Sequence, residues 1–269
     1  MMVILLFILL LSFFHVTMID YLYNNPTYYQ LDAYTWETDD FRSMQLGELI
    51  TDSPSIDYDV LTSLMVEHSY DLTKVKDLTC HTDRLMTAKP EEYRKLKQAY
   101  EMVLKDLRYF PVPDNLNPDS PPVTYENGWL DKRTYGGERG HEGCDIMGAE
   151  MPRGYYPVIS ITDGIIEKSG WLEKGGWRIG IRAPGGSYLY YAHLYGYSRQ
   201  WQEGDVVKAG ELLGFMGDTG YSAVEGTTGN FDVHLHVGIY ITTDHSEELS
   251  LNPYWLLRYL EHYKLKYTY

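Results

Sequence analysis

The sequence offers little for covalent bracing. Its 269 residues include only two cysteines, Cys80 and Cys144, too few for a disulfide-stapled scaffold or a four-thiolate zinc site. Positive charge is also scarce: 23 Lys and Arg stand against 38 Asp and Glu, for a net charge of −15. Chains that neutralise phosphates are usually basic, so no nucleic-acid partner is expected. Glycine is almost missing from the first half. Of 24 glycines only Gly47 precedes Gly128, and so abrupt a shift marks two architecturally unlike parts. The abundant residues exclude disorder, since hydrophobic side chains make up 44% and aromatics 14%. The length suits one or two domains. Nothing in the composition accounts for the 26 tyrosines.

Residues 1–19, MMVILLFILLLSFFHVTMI, hold 16 apolar positions, close to the ~20 that cross a bilayer as a helix. No small-x-small cleavage site follows, which favours an uncleaved signal anchor over a cleaved signal peptide. No Lys or Arg precedes the run, and residues 20–59 carry nine acids and one base, Arg42. The expected topology is N-terminus in, body outside the cytoplasm. The chain is then anchored in the membrane through residues 1–19, or secreted if the segment is cleaved.

Residues 20–110 read as an acidic, partly helical extracytoplasmic region whose protein partner, if any, is unknown. Residues 58–68 form a short predicted helix. Residues 90–108 form a better one, opened by Pro90 and by Glu91 and Glu92 at its positive end. Tyr93, Leu96, Tyr100, Val103 and Leu107 recur at helical spacing and predict one buried stripe. The proline-rich stretch 111–121 predicts a stiff linker.

From residue 122 short alternating runs are separated by glycine turns, the pattern of an all-β sheet or sandwich. Runs at 156–160, 164–170, 211–217 and 234–241 are candidate strands. Trp177, Ile179 and Ile181 share one predicted face, and Leu189, Tyr191 and His193 another, with Pro184, Gly185 and Gly186 turning a hairpin between them. Asn252 and Pro253 open a short C-terminal helix, so 122–250 reads as the β domain and 251–269 as helix and tail. Within this half, His141 and Asp145 stand in GHEGCDIMG, where strand alternation turns 141, 143 and 145 the same way and Gly143 leaves room for an ion. His234 and His236 share one face of VHLHVGIY, and His193 sits in YYAHL. Imidazole and carboxylate together suit Zn²⁺. Each spacing alone is weak, so these residues by themselves leave structural histidines and a zinc site both open.

In combination the motifs are more specific. H-x-x-x-D, A-H-L and H-L-H occur in that order, followed or interleaved by Glu203-Gly204-Asp205-Val206-Val207-Lys208-Ala209-Gly210, Leu213-Gly214 and Gly217-Asp218-Thr219-Gly220. Over about residues 122–245 the chain resembles the lysostaphin-type (LytM-like) zinc metalloendopeptidases, which hydrolyse peptidoglycan. The resemblance implies a mostly β, antiparallel catalytic domain of that type, preceded by a small helical region and an N-terminal membrane segment. It implies one Zn²⁺ ion held by His141, Asp145 and His236. It implies catalytic roles for His193 and His234, which in the family activate water and stabilise the oxyanion. The substrate it implies is a peptide of peptidoglycan stems or cross-bridges. GYSAVEGTTGNFDVHLH departs from the usual approach to the last ligand, so 221–233 is an insertion expected to line one wall of the groove. Cys144 is expected to be a buried small hydrophobe, ahead of a disulfide with Cys80 or a fourth metal ligand. Two other readings are open to such a chain: a non-catalytic cell-wall-binding or hydrolase-activating module of the same fold, and a histidine phosphocarrier of similar β architecture.

Overall fold

A computed structural model describes residues 1–25 and 28–269. The apolar run forms helix α1 (Met2–Asn24), which ends five residues beyond the expected segment, with no residue buried against the rest of the chain. Five helices follow before the β half: α2 (Asp39–Arg42), α3 (Gly47–Thr51), α4 (Tyr58–Glu67), α5 (Thr82–Ala88) and α6 (Pro90–Leu104). Asp57 caps α4, its Oδ1 accepting from the Asp59 and Val60 amides at 2.9 and 3.2 Å. Pro90 starts α6 as expected, and Tyr93, Leu96, Tyr100 and Val103 are buried along one face. That helix ends earlier than its periodicity suggests. The Ile161 carbonyl accepts from the Arg108 and Tyr109 amides and draws the chain into the β half, while Leu107 stays buried beyond the helix end.

The second half consists of strands and one helix. In chain order they are β1 (Asp114–Asn115), β2 (Thr124–Tyr125), β3 (Lys132–Arg133), β4 (Arg139–Gly140), β5 (Cys144–Met147), β6 (Pro157–Ile159) and β7 (Gly164–Leu172). They continue as β8 (Gly176–Arg182), β9 (Tyr188–Tyr197), β10 (Val206–Val207), β11 (Leu212–Met216), β12 (His234–Ile241) and β13 (Leu249–Leu251), then α7 (Tyr254–Leu260) and β14 (Lys266–Tyr267). The main sheet runs β10-β7-β8-β9-β12-β5-β2, all antiparallel. β11 joins β9 to β6, and β13 extends β12. The predicted hairpin is β8–β9, and α7 starts where Asn252 Oδ1 accepts from the Tyr254 amide at 3.0 Å. The fold is thus mostly β with antiparallel pairing and a helical preface, as expected.

The two halves share one apolar core. Phe41 and Tyr100 pack at 5.0 Å within the cluster that also holds Ile179, Tyr191, Val237 and Leu256. Arg42 fastens them together: its Nε and Nη2 donate to the carbonyl and hydroxyl of Ser250, both at 2.9 Å. The Asn252 amide returns to the Arg42 carbonyl at 2.8 Å. The proline-rich stretch is also engaged, because β1 pairs with β14.

Both cysteines are free thiols. Cys144 is buried on the face of β5 opposite Asp145, with its Sγ 3.4 Å from the Glu126 carbonyl. Burial pushes its pKa up to about 12, so it behaves as the small hydrophobe expected, and neither the disulfide nor a fourth-ligand role materialises.

Candidate metal centre and catalytic groove

Strand pairing assembles the five residues singled out above. β12 lies between β5 and β9, with His236 opposite both Asp145 and Ala192. This register brings His141 Nε2, Asp145 Oδ1 and His236 Nδ1 to within 3.0 Å of one another. The strand begins only at Cys144, so His141 reaches the cluster from the preceding bend and not by alternation. Gly143 does something other than expected. A Cβ there would collide with the His236 ring and with the Val237 carbonyl, so its missing side chain admits the imidazole itself.

His193 corrects a second expectation. Leu189 and Tyr191 face the core, and simple alternation would bury His193 with them. Instead Ala192 and His193 together oppose Arg178, because the pairing of β9 with β8 shifts between Tyr191 and Leu194. His193 adopts φ +62°, and this bulge turns its ring onto the groove face, 4.7 Å from the His234 ring. Its Nδ1–H donates to the Thr219 carbonyl at 2.7 Å. The Nδ1–H of His234 donates likewise to the Asp232 carbonyl at 2.7 Å. A carbonyl only accepts, so each ring carries a proton on Nδ1, and in the neutral form its Nε2 lone pair is free. His234 Nε2 stands 3.8 Å from Asp145 Oδ1.

The same reasoning tests whether a cation fits the three-residue cluster. His141 Nδ1–H is committed to the Gly128 carbonyl at 3.0 Å, which leaves Nε2 a lone pair aimed at a carboxylate oxygen and another imidazole nitrogen. The 3.0 Å contact between His141 Nε2 and Asp145 Oδ1 then holds no proton, and His236 Nδ1 can donate to only one of these two acceptors. A divalent cation satisfies such a donor set, and nitrogen–carboxylate ligation suits zinc. Burial opposes charge on Asp145, but its contacts with the surrounding imidazoles of His141, His236 and His234 outweigh it and hold the carboxyl well below the usual carboxylate range. Burial lowers the pKa of His193 and His236, the former well below its ordinary value, and both rings are therefore neutral.

Several groove residues lay outside the sequence reading. Arg133 Nη2 donates to Asp145 Oδ2 at 2.6 Å and fixes the carboxylate's orientation. Thr219 sets the His193 tautomer, and its Oγ1 bonds the Leu194 carbonyl at 2.8 Å; the quoted G-D-T-G turn was the available signal. Within the insertion, Tyr221 and Phe231 pack against His193 at 5.8 and 4.7 Å, and Tyr221 lines the groove wall as expected of that segment. Buried Asp218 holds the insertion, accepting from the Gly229 amide at 2.8 Å and pairing with Arg153 at 3.0 Å. Tyr188, Tyr190 and Tyr240 also line the groove, which gives part of the tyrosine excess a place.

Comparisons with known proteins coincide with this site. The profile of peptidase family M23 matches residues 139–248, which include all five residues. The L-Ala--D-Glu endopeptidase of Bacillus subtilis (strain 168) is 38% identical over 175 residues, 64% of this chain and 50% of that protein. Lysostaphin of Staphylococcus simulans is 41% identical over 82 residues, 30% of this chain and 15% of that protein. The chain thus spans half or less of these curated relatives. A solved structure from Ruminococcus gnavus ATCC 29149, provisionally called a glycyl-glycine endopeptidase lytM, superposes with a TM-score of 0.78 at 39% identity. It covers 90% of this chain and 98% of its own.

Proposed function

Because the chain belongs to peptidase family M23, we propose that it is a zinc metalloendopeptidase that hydrolyses peptide bonds of peptidoglycan stems or cross-bridges outside the cytoplasm. The family is zinc-dependent, and its curated relatives here are endopeptidases. The observation that carries the reading is the convergence of His141 Nε2, Asp145 Oδ1 and His236 Nδ1 beside two further imidazoles with free Nε2 atoms.

In this reading His141, Asp145 and His236 hold the ion. When bound, zinc supplies Lewis acidity, polarising a carbonyl and making nearby water more acidic. His234 Nε2 accepts the proton released by the attacking water and returns it to the leaving amine. His193, neutral and with its Nδ1–H fixed by Thr219, presents its Nε2 lone pair on the other side of the site, where it accepts a hydrogen bond from the attacking water and helps to orient it. Arg133 holds Asp145 in alignment through its hydrogen bond to Oδ2.

Helix α1 serves as the membrane anchor. Its 23 residues would span about 35 Å, against a hydrocarbon core of roughly 30 Å, and no part of it is buried. The test is metal analysis of the detergent-purified full chain, with mass spectrometry of fragments released from peptidoglycan. The proposal requires bound zinc and chelator-sensitive release of peptides. A chain that carries no zinc ends it.

A further inference from the structure

The groove beside the cluster is more basic than the molecule around it. A cavity of about 450 Å³ is lined by five Lys and Arg and only three Asp and Glu, whereas the whole chain carries a net charge of −15. Two of the five cations are already matched: Arg133 by Asp145 and Lys168 by Glu203. Lys174, at the rim, has no ion pair among the described residues, and Arg139 and Arg178 are the two unmatched guanidinium groups. Among the described residues neither guanidinium meets a carboxylate, and Arg139 Nε and Arg178 Nη1 are shielded from solvent without an acceptor. Leaving such a nitrogen without an acceptor is unfavourable, so an arrangement of this kind is expected where a ligand supplies one.

Their placement says where that ligand lies. Arg139 opens the two-residue strand β4, which leads directly into His141. Arg178, on β8, is the residue opposed by the Ala192–His193 bulge. Tyr190 occupies the floor on β9, opposite Gly180 and Gly238. Burial raises the pKa of its phenol, but Arg178 and Arg139 both pull it down, so both positive charges reach the same stretch of groove. The rings of Tyr188 and Tyr240 fill the space over Gly180 and Gly238, so the floor there is phenolic. Glu142 and Glu248 also line the cavity, but among the described residues neither supplies Arg139 Nε or Arg178 Nη1 with an acceptor.

Building on the proposed peptidase, we propose that Arg139 and Arg178 form a carboxylate-binding subsite, which selects peptides bearing a free carboxyl group next to the scissile bond over neutral ones. Guanidinium groups bind carboxylates through paired N–H donors, and a matching amide cannot satisfy both. An acidic stem peptide meets this requirement, and a polyglycine bridge does not.

Binding, not turnover, tests this. The probes are the tetrapeptide L-Ala-γ-D-Glu-L-Lys-D-Ala and the same peptide with its D-Glu α-carboxyl amidated, titrated calorimetrically into the full chain. The carboxylate form is expected to bind at least about tenfold more tightly at low salt, with the ratio shrinking as salt rises. In Arg178→Gln and in Arg139→Gln that ratio falls toward one. Equal affinity of the two peptides for the unaltered chain overturns the subsite, whatever the variants do. So does a ratio that survives both substitutions. Zinc content and hydrolysis are measured separately, so failure of the subsite leaves the peptidase reading standing, and failure of the peptidase reading is visible on its own.

Discussion

The helical region and the groove treat charged groups in opposite ways. In the helices, charges find partners within the chain: Asp59 pairs with Lys97 at 2.7 Å, and Arg42 donates to Ser250. In the groove, His141 Nε2, Asp145 Oδ1 and His236 Nδ1 crowd together with too few protons for their three contacts, and guanidinium nitrogens of Arg139 and Arg178 lack acceptors. The first arrangement stabilises the fold without help. The second is incomplete until something binds. One continuous core supports both, so the helical region acts as a buttress for the strands that carry the site.

If that contrast is right, substitutions in the two regions separate binding from stability. The largest effect is expected for His141→Ala, which removes one converging ligand. Zinc is lost and kcat/KM falls on the order of 10³-fold or more, while the unfolding midpoint of the metal-free chain hardly moves. Tyr100→Ala should do the reverse. It empties a fully buried site against Phe41 and costs about 3–5 kcal/mol by denaturant unfolding, with zinc per folded chain unchanged. Arg42→Ala, which cuts the tie to Ser250, should cost about 1–3 kcal/mol, again with zinc retained. A large loss of zinc in either of these two variants would break the separation.

The smallest effect concerns an ordinary ion pair. A hydrogen bond from Arg182 depresses the Glu167 pKa against the opposing effect of burial. Stability from a depressed carboxyl is present above its unfolded value and disappears as pH falls through the folded one. Glu167→Gln should therefore destabilise the chain at neutral pH by less than about 1 kcal/mol for so exposed a pair, read as a slightly lower Tm. The difference from the unaltered chain should shrink as pH falls below the ordinary carboxyl value of about 4.3 and vanish once pH has passed the depressed folded one. Thermal melts of both across that range check it.

Much of the fold was legible because α4, α6 and the β8–β9 hairpin follow regular periods and carry their own capping or turn residues. The short helices between residues 28 and 57 were not. Leu31, Phe41, Met44, Leu46 and Ile50 are all buried, but at no repeating interval, since contacts with distant elements fix them and local pattern does not. The site shows the same division. The histidines and Asp145 were visible as motifs, whereas the bulge that turns His193 into the groove violates the alternation by which strands are read. Arg133, Arg139 and Arg178 come from separate strands and have no spacing signature at all.

The central claim is the division of labour among five side chains, and His234→Ala tests it most directly. Zinc content and peptidoglycan hydrolysis are measured on the same preparation of the full chain. About one zinc ion per chain should remain while hydrolysis falls to background, because His234 lies beside the ligand cluster and handles the proton. Loss of zinc together with activity would contradict this, making His234 a ligand. Full activity with zinc in place would remove it from the reaction.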